Sequence, residues 1–329
     1  MHVAGDGSIL SQTNGFTWPK SVSVNSQDGS CWVGDIYDDA VAHLAADGAE
    51  LWRGGSFSSP GAVSVNSSDG SCWVADRGNG QVVHLAGDGA ELWRGGSFAS
   101  PVSVSVNAAD GSCWVADPGN DQVVHLAGDG TELWRGGGLN SPGFVSVNPT
   151  DGSCWVAQSW QHEVVHLADD GAELSRAEGF DDPVSVSVNP SDGSCWVADS
   201  WQHVVVHLDE DGAELSRAEG FDDPMSVSVN PTDGSCWVAD NDRAEVVRLA
   251  QDGTELWRAR SFLTPVFISV DANDGSCWVV DLDHHDLSQN DYRNSDVVHL
   301  SAEGAELWRG QGFDTPWGIS ANPTDGSCW

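Results

Sequence analysis

Eight copies of Asp-Gly-Ser-Cys-Trp punctuate this 329-residue sequence, placing its cysteines at Cys31, Cys72, Cys113, Cys154, Cys195, Cys236, Cys277 and Cys328. Neighbouring copies stand 41 residues apart six times and 51 residues apart once. A fixed period near 40 is the mark of a repeat architecture, in which a unit buries its apolar surface only against the next unit. The one long interval locates a ten-residue insert near 282–291.

Within a period the apolar positions alternate with a step of two, in Val104-Ser105-Val106, Cys113-Trp114-Val115-Ala116, Val123-Val124-His125-Leu126 and Glu132-Leu133-Trp134. Each run reads as a short strand, and we label the four a to d. Asp-Gly pairs such as Asp110-Gly111 and Asp129-Gly130 separate a from b and c from d, where glycine supplies the positive φ of a tight antiparallel turn. Four antiparallel strands in about 41 residues make one blade of a β-propeller.

The chain opens within a blade, since His2-Val3-Ala4-Gly5-Asp6-Gly7 matches His84-Leu85-Ala86-Gly87-Asp88-Gly89, and it stops after an a–b half at Trp329. The expectation is an all-β fold: one domain over 1–329, an eight-bladed β-propeller of four-stranded antiparallel blades, closed by pairing N-terminal strands c–d with C-terminal strands a–b. Eight such periods plus the insert need nine residues more than the chain has, which suggests a cut inside the b–c loop of the closing blade.

The pattern Pro-x-x-Val-Ser-Val-Asn, then Asp192-Gly193-Ser194-Cys195-Trp196-Val197-Ala198-Asp199, then Val-Val-His-Leu, resembles the NHL-repeat and YVTN-type β-propellers over the whole chain. The resemblance implies the fold more than an activity, since such propellers include binding modules, scaffolds and a few lyases and lactonases. A WD-repeat reading fits less well, because the Gly-His and Trp-Asp dipeptides of that family are absent at the corresponding positions.

Net charge is −37, from 50 acidic and 13 basic residues with Lys20 the only lysine, so nucleic acid and anionic membrane surfaces are excluded as partners. No run of 18 apolar residues exists, no signal peptide is visible, and the compartment stays open. The acidic excess predicts stabilisation by salt. Cysteines at one site in successive blades lie too far apart for disulfides and are expected as buried free thiols.

His2, His43, His84, His125, His166, His207 and His299 share one strand-c position, with Arg248 at the eighth. Pointing into separate interfaces, they do not converge on a metal, and a bond within the blade, such as His84 to Asp76 or His125 to Asp117, is the expected role. Tryptophans after each cysteine read as packing between blades. A second set, Trp52, Trp93, Trp134, Trp257 and Trp308, falls on strand d, where Ser175 and Ser216 replace it in two adjacent blades. Those blades carry Trp160 and Trp201 in their b–c loops instead, which shared descent of neighbouring repeats also explains.

Variation concentrates in the b–c loops, which with the d–a connections form the top face. The expected binding residues there are Tyr37, Arg77, Trp160, His162, Trp201, His203 and Arg243. Asp283, His284, His285 and Asp286 of the insert are weak metal candidates, set against a solvated acidic loop. Strand a begins with small or apolar residues apart from Lys20, so acid–base catalysis has no visible players at the axis. The reading is a monomeric, non-enzymatic scaffold without cofactor, contacting a protein, peptide or glycan. The rivals are a metal-dependent lyase or hydrolase and a recently amplified structural propeller with no ligand.

Overall fold

The computed structural model describes residues 1–283, 293–314 and 316–329. Its described residues form seven four-stranded antiparallel sheets and one two-stranded sheet. The first four-stranded blade comprises Pro19–Val24, Cys31–Asp35, Ala40–Leu44 and Glu50–Gly54, paired in chain order, and the seventh comprises Pro265–Val270, Cys277–Asp281, Arg293–Leu300 and Glu306–Asp314.

The expected eight blades are corrected to seven. The terminal segments supply only the two-stranded sheet His2–Val3 with Ile9–Ser11, and they meet through isolated bridges, Val3 with Cys328 and Ala321 with Cys328. Among the described residues these isolated bridges stand where the seven sheets have full ladders.

Strand b is buried at every position, as in Cys113–Asp117, and strand c at nearly every described one, as in Gln122–Leu126, whereas outer strand Glu132–Gly137 is exposed to half-buried. The middle strands are covered on both faces by neighbouring blades, which is why their sequence is nearly continuously apolar. All eight cysteines are free and buried, and burial raises their thiol pKa values. They are inert packing groups.

Each blade grips the next by the same contacts. The strand-b indole stacks on the strand-c imidazole, as in Trp114 on His125, with centroids 4.2 Å apart and planes at 4°. Trp114 Nε1 donates to the Gly152 carbonyl of the next blade at 3.0 Å, and His125 Nδ1 donates to the Asp169 carbonyl of that blade at 2.8 Å. The expected bond from His125 to Asp117 is therefore corrected: Asp117 binds Gln122, Asn120 and the Ala99 and Ser100 amides instead. Arg248 substitutes in the sixth blade, reaching Ser235 Oγ and the Ala302 carbonyl with its guanidinium over Trp237. Trp278 donates to Gly326 and Trp329 to Gly29, so the terminal segments are held between the last and first sheets by the same grip.

The outer tryptophans explain the second Asp-Gly turn. A Cβ added at Gly130, where φ is +83°, would lie 2.2 Å from Trp93 Cγ of the preceding blade, so only glycine admits the indole. Where Ser175 and Ser216 replace tryptophan, they sit under Gly212 and Gly253, and both hydroxyls are buried without a hydrogen-bond partner.

Candidate functional site: the loop face

One face carries the b–c loops and d–a connections, held together by a carboxylate. Asp35, Asp76, Asp117, Asp199, Asp240 and Asp281 end strand b fully buried. Each accepts backbone N–H bonds from the connection entering its own blade: Asp35 from Thr17 at 2.7 Å and Trp18 at 2.9 Å, Asp281 from Leu263 and Thr264 at 2.7 Å. Such bonds satisfy loop donors that no strand pairs. In the fourth blade Gln158 takes the position. These aspartates hold the loops in place and are not offered to a ligand.

The loop histidines follow from the same turn. Asp39, Asp121, His162, His203 and Ala244 adopt positive φ between 49° and 61° at the end of their b–c loops, the place Gly80 fills in the second blade. His162 Nδ1 contacts the Asp181 carbonyl, with the Asp181 carboxylate 3.9 Å away. His203 Nδ1 accepts the Asp223 N–H at 3.3 Å, and Asp222 lies 3.5 Å away. Burial, with Asp242 close by, raises the Asp223 pKa.

Trp160 and Trp201 are 76% and 70% exposed, more than any other large apolar side chain among the described residues. They occupy equivalent loops of adjacent blades, but neither makes a ring contact with another described aromatic. Arg77 is tied down, its Nε donating to Ser100 Oγ at 3.0 Å. Arg243 lies beside Asp240, whose pKa burial pushes up to about 7, with Glu245 across the ladder adding to the rise. His284, His285 and Asp286 fall outside the described residues. Asp283 is buried, its N–H donating to Ser295 Oγ at 3.2 Å. Among the described residues no three His, Cys, Asp or Glu side chains could hold a metal ion together.

Tyr37 belongs to a group that sequence reasoning missed. Its ring lies 4.9 Å from Trp18, which stacks 6.0 Å from Trp317; Phe267 meets Trp317 edge-on at 6.2 Å, and Lys20 Nζ sits 5.9 Å over the same indole. Trp18 and Trp317 break the repeat at connection and strand-a positions, and that departure was the signal available.

The channel wall is less reactive than its serines suggest. Val65 N donates to Ser23 Oγ at 3.1 Å and Val106 N to Ser64 Oγ at 3.1 Å, each serine lying on the preceding blade. The Val-Ser-Val repeat thus satisfies the open edge of every inner strand. Asp192, Ser194 and His207 also form a chain, 2.6 Å and 2.9 Å long, but serine is its middle member and is buried, so no nucleophile is presented.

No protein-family model matches the sequence, and no curated protein matches it. Among solved structures the fold is similar to a streptogramin B lyase structure, at 15% identity and TM-score 0.64, covering 82% of this chain and 92% of that one. It is similar to selenomethionine-substituted virginiamycin B lyase from Staphylococcus aureus at 12% identity and TM-score 0.65, covering 85% and 94%. A catalytically inactive histidine-to-alanine variant of virginiamycin B lyase from the same organism, with quinupristin, aligns at 13% identity and TM-score 0.66, covering 82% and 93%. At such identity these likenesses establish the propeller fold. Because these neighbours are enzymes, the fold itself gives the non-enzymatic expectation no support.

Proposed function

We propose that this chain is an NHL-like propeller acting as a binding module, whose loop face engages a peptide or glycan through Trp160 and Trp201. One observation carries the reading: two indoles, 76% and 70% exposed, project from equivalent loops of adjacent blades, whereas the strand-b tryptophans are buried. Exposed indoles beside His162, His203 and Gln202 suit the apolar faces and hydroxyls of sugars, or peptide side chains. The Asp-Gly-Ser-Cys-Trp-Val-Ala-Asp strand supports the family assignment. The test is a glycan and peptide array probed with the parent protein and the Trp160→Ala, Trp201→Ala double variant. Loss of a parental signal in the variant supports the reading, and identical profiles or no parental signal remove it.

A second reading is favoured by the lyases among the structural neighbours. The exposed pairs His162–Asp181 and His203–Asp222 would supply acid–base groups on the same face. Incubation with quinupristin, followed by chromatography and mass spectrometry, tests it. Conversion that disappears in His162→Ala or His203→Ala would support catalysis, and an unchanged substrate would leave the binding module as the account.

A further inference from the structure

We propose, resting on the loop-face reading above, that the surface around Trp160 and Trp201 takes a cationic peptide, holding its arginine side chains between the exposed indoles and two carboxylate-rich connections. Two departures from the repeat coincide there. The connection entering the second blade, Arg53-Gly54-Gly55-Ser56-Phe57-Ser58-Ser59-Pro60, has no acidic residue. Those entering the fifth and sixth blades read Arg176-Ala177-Glu178-Gly179-Phe180-Asp181-Asp182-Pro183 and Arg217-Ala218-Glu219-Gly220-Phe221-Asp222-Asp223-Pro224. Each gains three carboxylates, and each adjoins a loop that carries an exposed tryptophan.

The fold interleaves the two features. On one side of the 179–182 connection, the Phe180 N–H donates to the His162 carbonyl at 3.2 Å, and His162 Nδ1 contacts the Asp181 carbonyl. On the other, Gln202 Nε2 donates to the Gly179 carbonyl at 2.7 Å, while Ser200 donates through its N–H to the Asp182 carbonyl and through Oγ to the Asp182 carboxylate, both at 3.0 Å. The acidic connection therefore lies between the Trp160 loop and the Trp201 loop. Past Trp201 the arrangement recurs, with the Asp223 N–H on His203 Nδ1 and the Asp242 N–H on the Asp222 carbonyl at 3.0 Å.

These carboxylates have no fixed countercharge. Asp181 and Asp222 are more than half exposed, and among the described residues they pair with His162 and His203 and with no arginine or lysine. Arg176 and Arg217 begin the same connections but are held by Glu163, Glu173 and Glu214. Burial raises the Asp223 pKa, and the charges of Asp242, Asp182 and Asp222 raise it further, a crowding that an incoming cation relieves. Arginine suits both halves of the surface, because its planar guanidinium stacks on an indole face and forks onto carboxylates. The net charge of −37 draws a basic peptide in from a distance, and the indoles distinguish this face from the Asp-Gly turns of the opposite one, where carboxylates stand without an exposed tryptophan.

The experiment is a calorimetric titration with acetyl-Gly-Arg-Gly-Gly-Arg-Gly-amide in about 0.15 M salt, which screens long-range attraction, with the same peptide carrying citrulline for arginine as its uncharged counterpart. We expect saturable binding of the arginine peptide. The citrulline peptide, and the variants Trp160→Ala with Trp201→Ala and Asp181→Asn with Asp222→Asn, should each bind weaker by about tenfold or more. All four replaced side chains are exposed, so folding is not at issue. Asp88→Asn with Asp129→Asn removes equal charge from the opposite face, keeps an acceptor for the Ala90 and Thr131 amides, and should bind as the parent does. No saturable binding at millimolar peptide, equal affinity for the citrulline peptide, full binding by either loop-face variant, or an equal loss in the opposite-face variant overturns the proposal. Should arginine binding fail while the array shows a tryptophan-dependent glycan or neutral peptide, this inference falls alone; identical array profiles for the parent and the double tryptophan variant remove the loop-face reading beneath it as well.

Discussion

Acid should loosen this ring through its histidines. Seven imidazoles are buried between a stacked indole and a neighbouring blade, and burial lowers the pKa of each below its ordinary value. A histidine whose folded pKa lies below the unfolded 6.5 takes its proton first in the unfolded chain. Stability is therefore intact above about pH 6.5 and is lost as pH falls toward the folded pKa. Within that window the seven act in the same direction, each with a slope below the single-group ceiling of about 1.4 kcal/mol per pH unit. Asp240 acts in the opposite sense, since its folded pKa of about 7 means that it binds a proton before the unfolded chain does, and Asp76, Asp223, Asp271 and Asp281, also raised by burial, oppose the histidines in the same way. Most surface carboxylates stay ionised down to about pH 5.5, so the background repulsion changes little over this range. Urea denaturation at pH 7.5, 6.5 and 5.5 should show midpoints falling steeply over the lower step. His207→Arg imports the arrangement already present at Arg248, which bonds Ser235 Oγ at 3.2 Å, and replaces an imidazole by a side chain that is charged in folded and unfolded chains alike. That variant should lose about one seventh of the slope. A midpoint that is flat or rises on acidification, or an unchanged slope in His207→Arg, would refute the reasoning.

Removing an inter-blade indole in Trp196→Ala should cost about 3–5 kcal/mol by urea denaturation, since the ring is fully buried and its Nε1 holds the Gly234 carbonyl at 3.2 Å. Restoring the outer tryptophan with Ser175→Trp, against Gly212 and in place of an unpartnered hydroxyl, should stabilise by about 0.5–2 kcal/mol and raise the melting temperature. Ser23→Ala leaves the Val65 amide without its 3.1 Å acceptor and should cost about 1 kcal/mol, read from the denaturation midpoint. With a net charge of −37, the melting temperature should rise between low and molar sodium chloride.

Strand order, blade composition and loop placement were legible in the sequence because all three follow from local period and turn chemistry. The number of complete sheets was not. Counting half-blades, with nine residues short in the closing blade, predicted an eighth sheet, whereas the terminal segments form a two-stranded sheet and meet through the isolated bridges Val3–Cys328 and Ala321–Cys328. The partner of the strand-c histidine was misread for a related reason: His125 and Asp117 belong to one blade in sequence, while the acceptor that meets the ring, the Asp169 carbonyl, lies 44 residues away on the next blade. Sequence alternation also hid the serines, whose hydroxyls serve the following blade's amides. At the loop face, the exposed Trp160 and Trp201 were found because they depart from the repeat. The group of Trp18, Tyr37 and Trp317 was only partly seen, because it assembles from three segments far apart in the chain.

The grip between blades has a direction. His125 and Trp114 both reach forward, and Gly130 behind them receives Trp93 from the blade before. Plug and socket are therefore encoded in the same 41-residue unit, and a tandem duplication arrives already compatible with both of its neighbours. Such a ring lengthens or shortens by whole units without redesign of any joint, which leaves circumference, and not interface chemistry, as the quantity on which selection among duplicated forms would act.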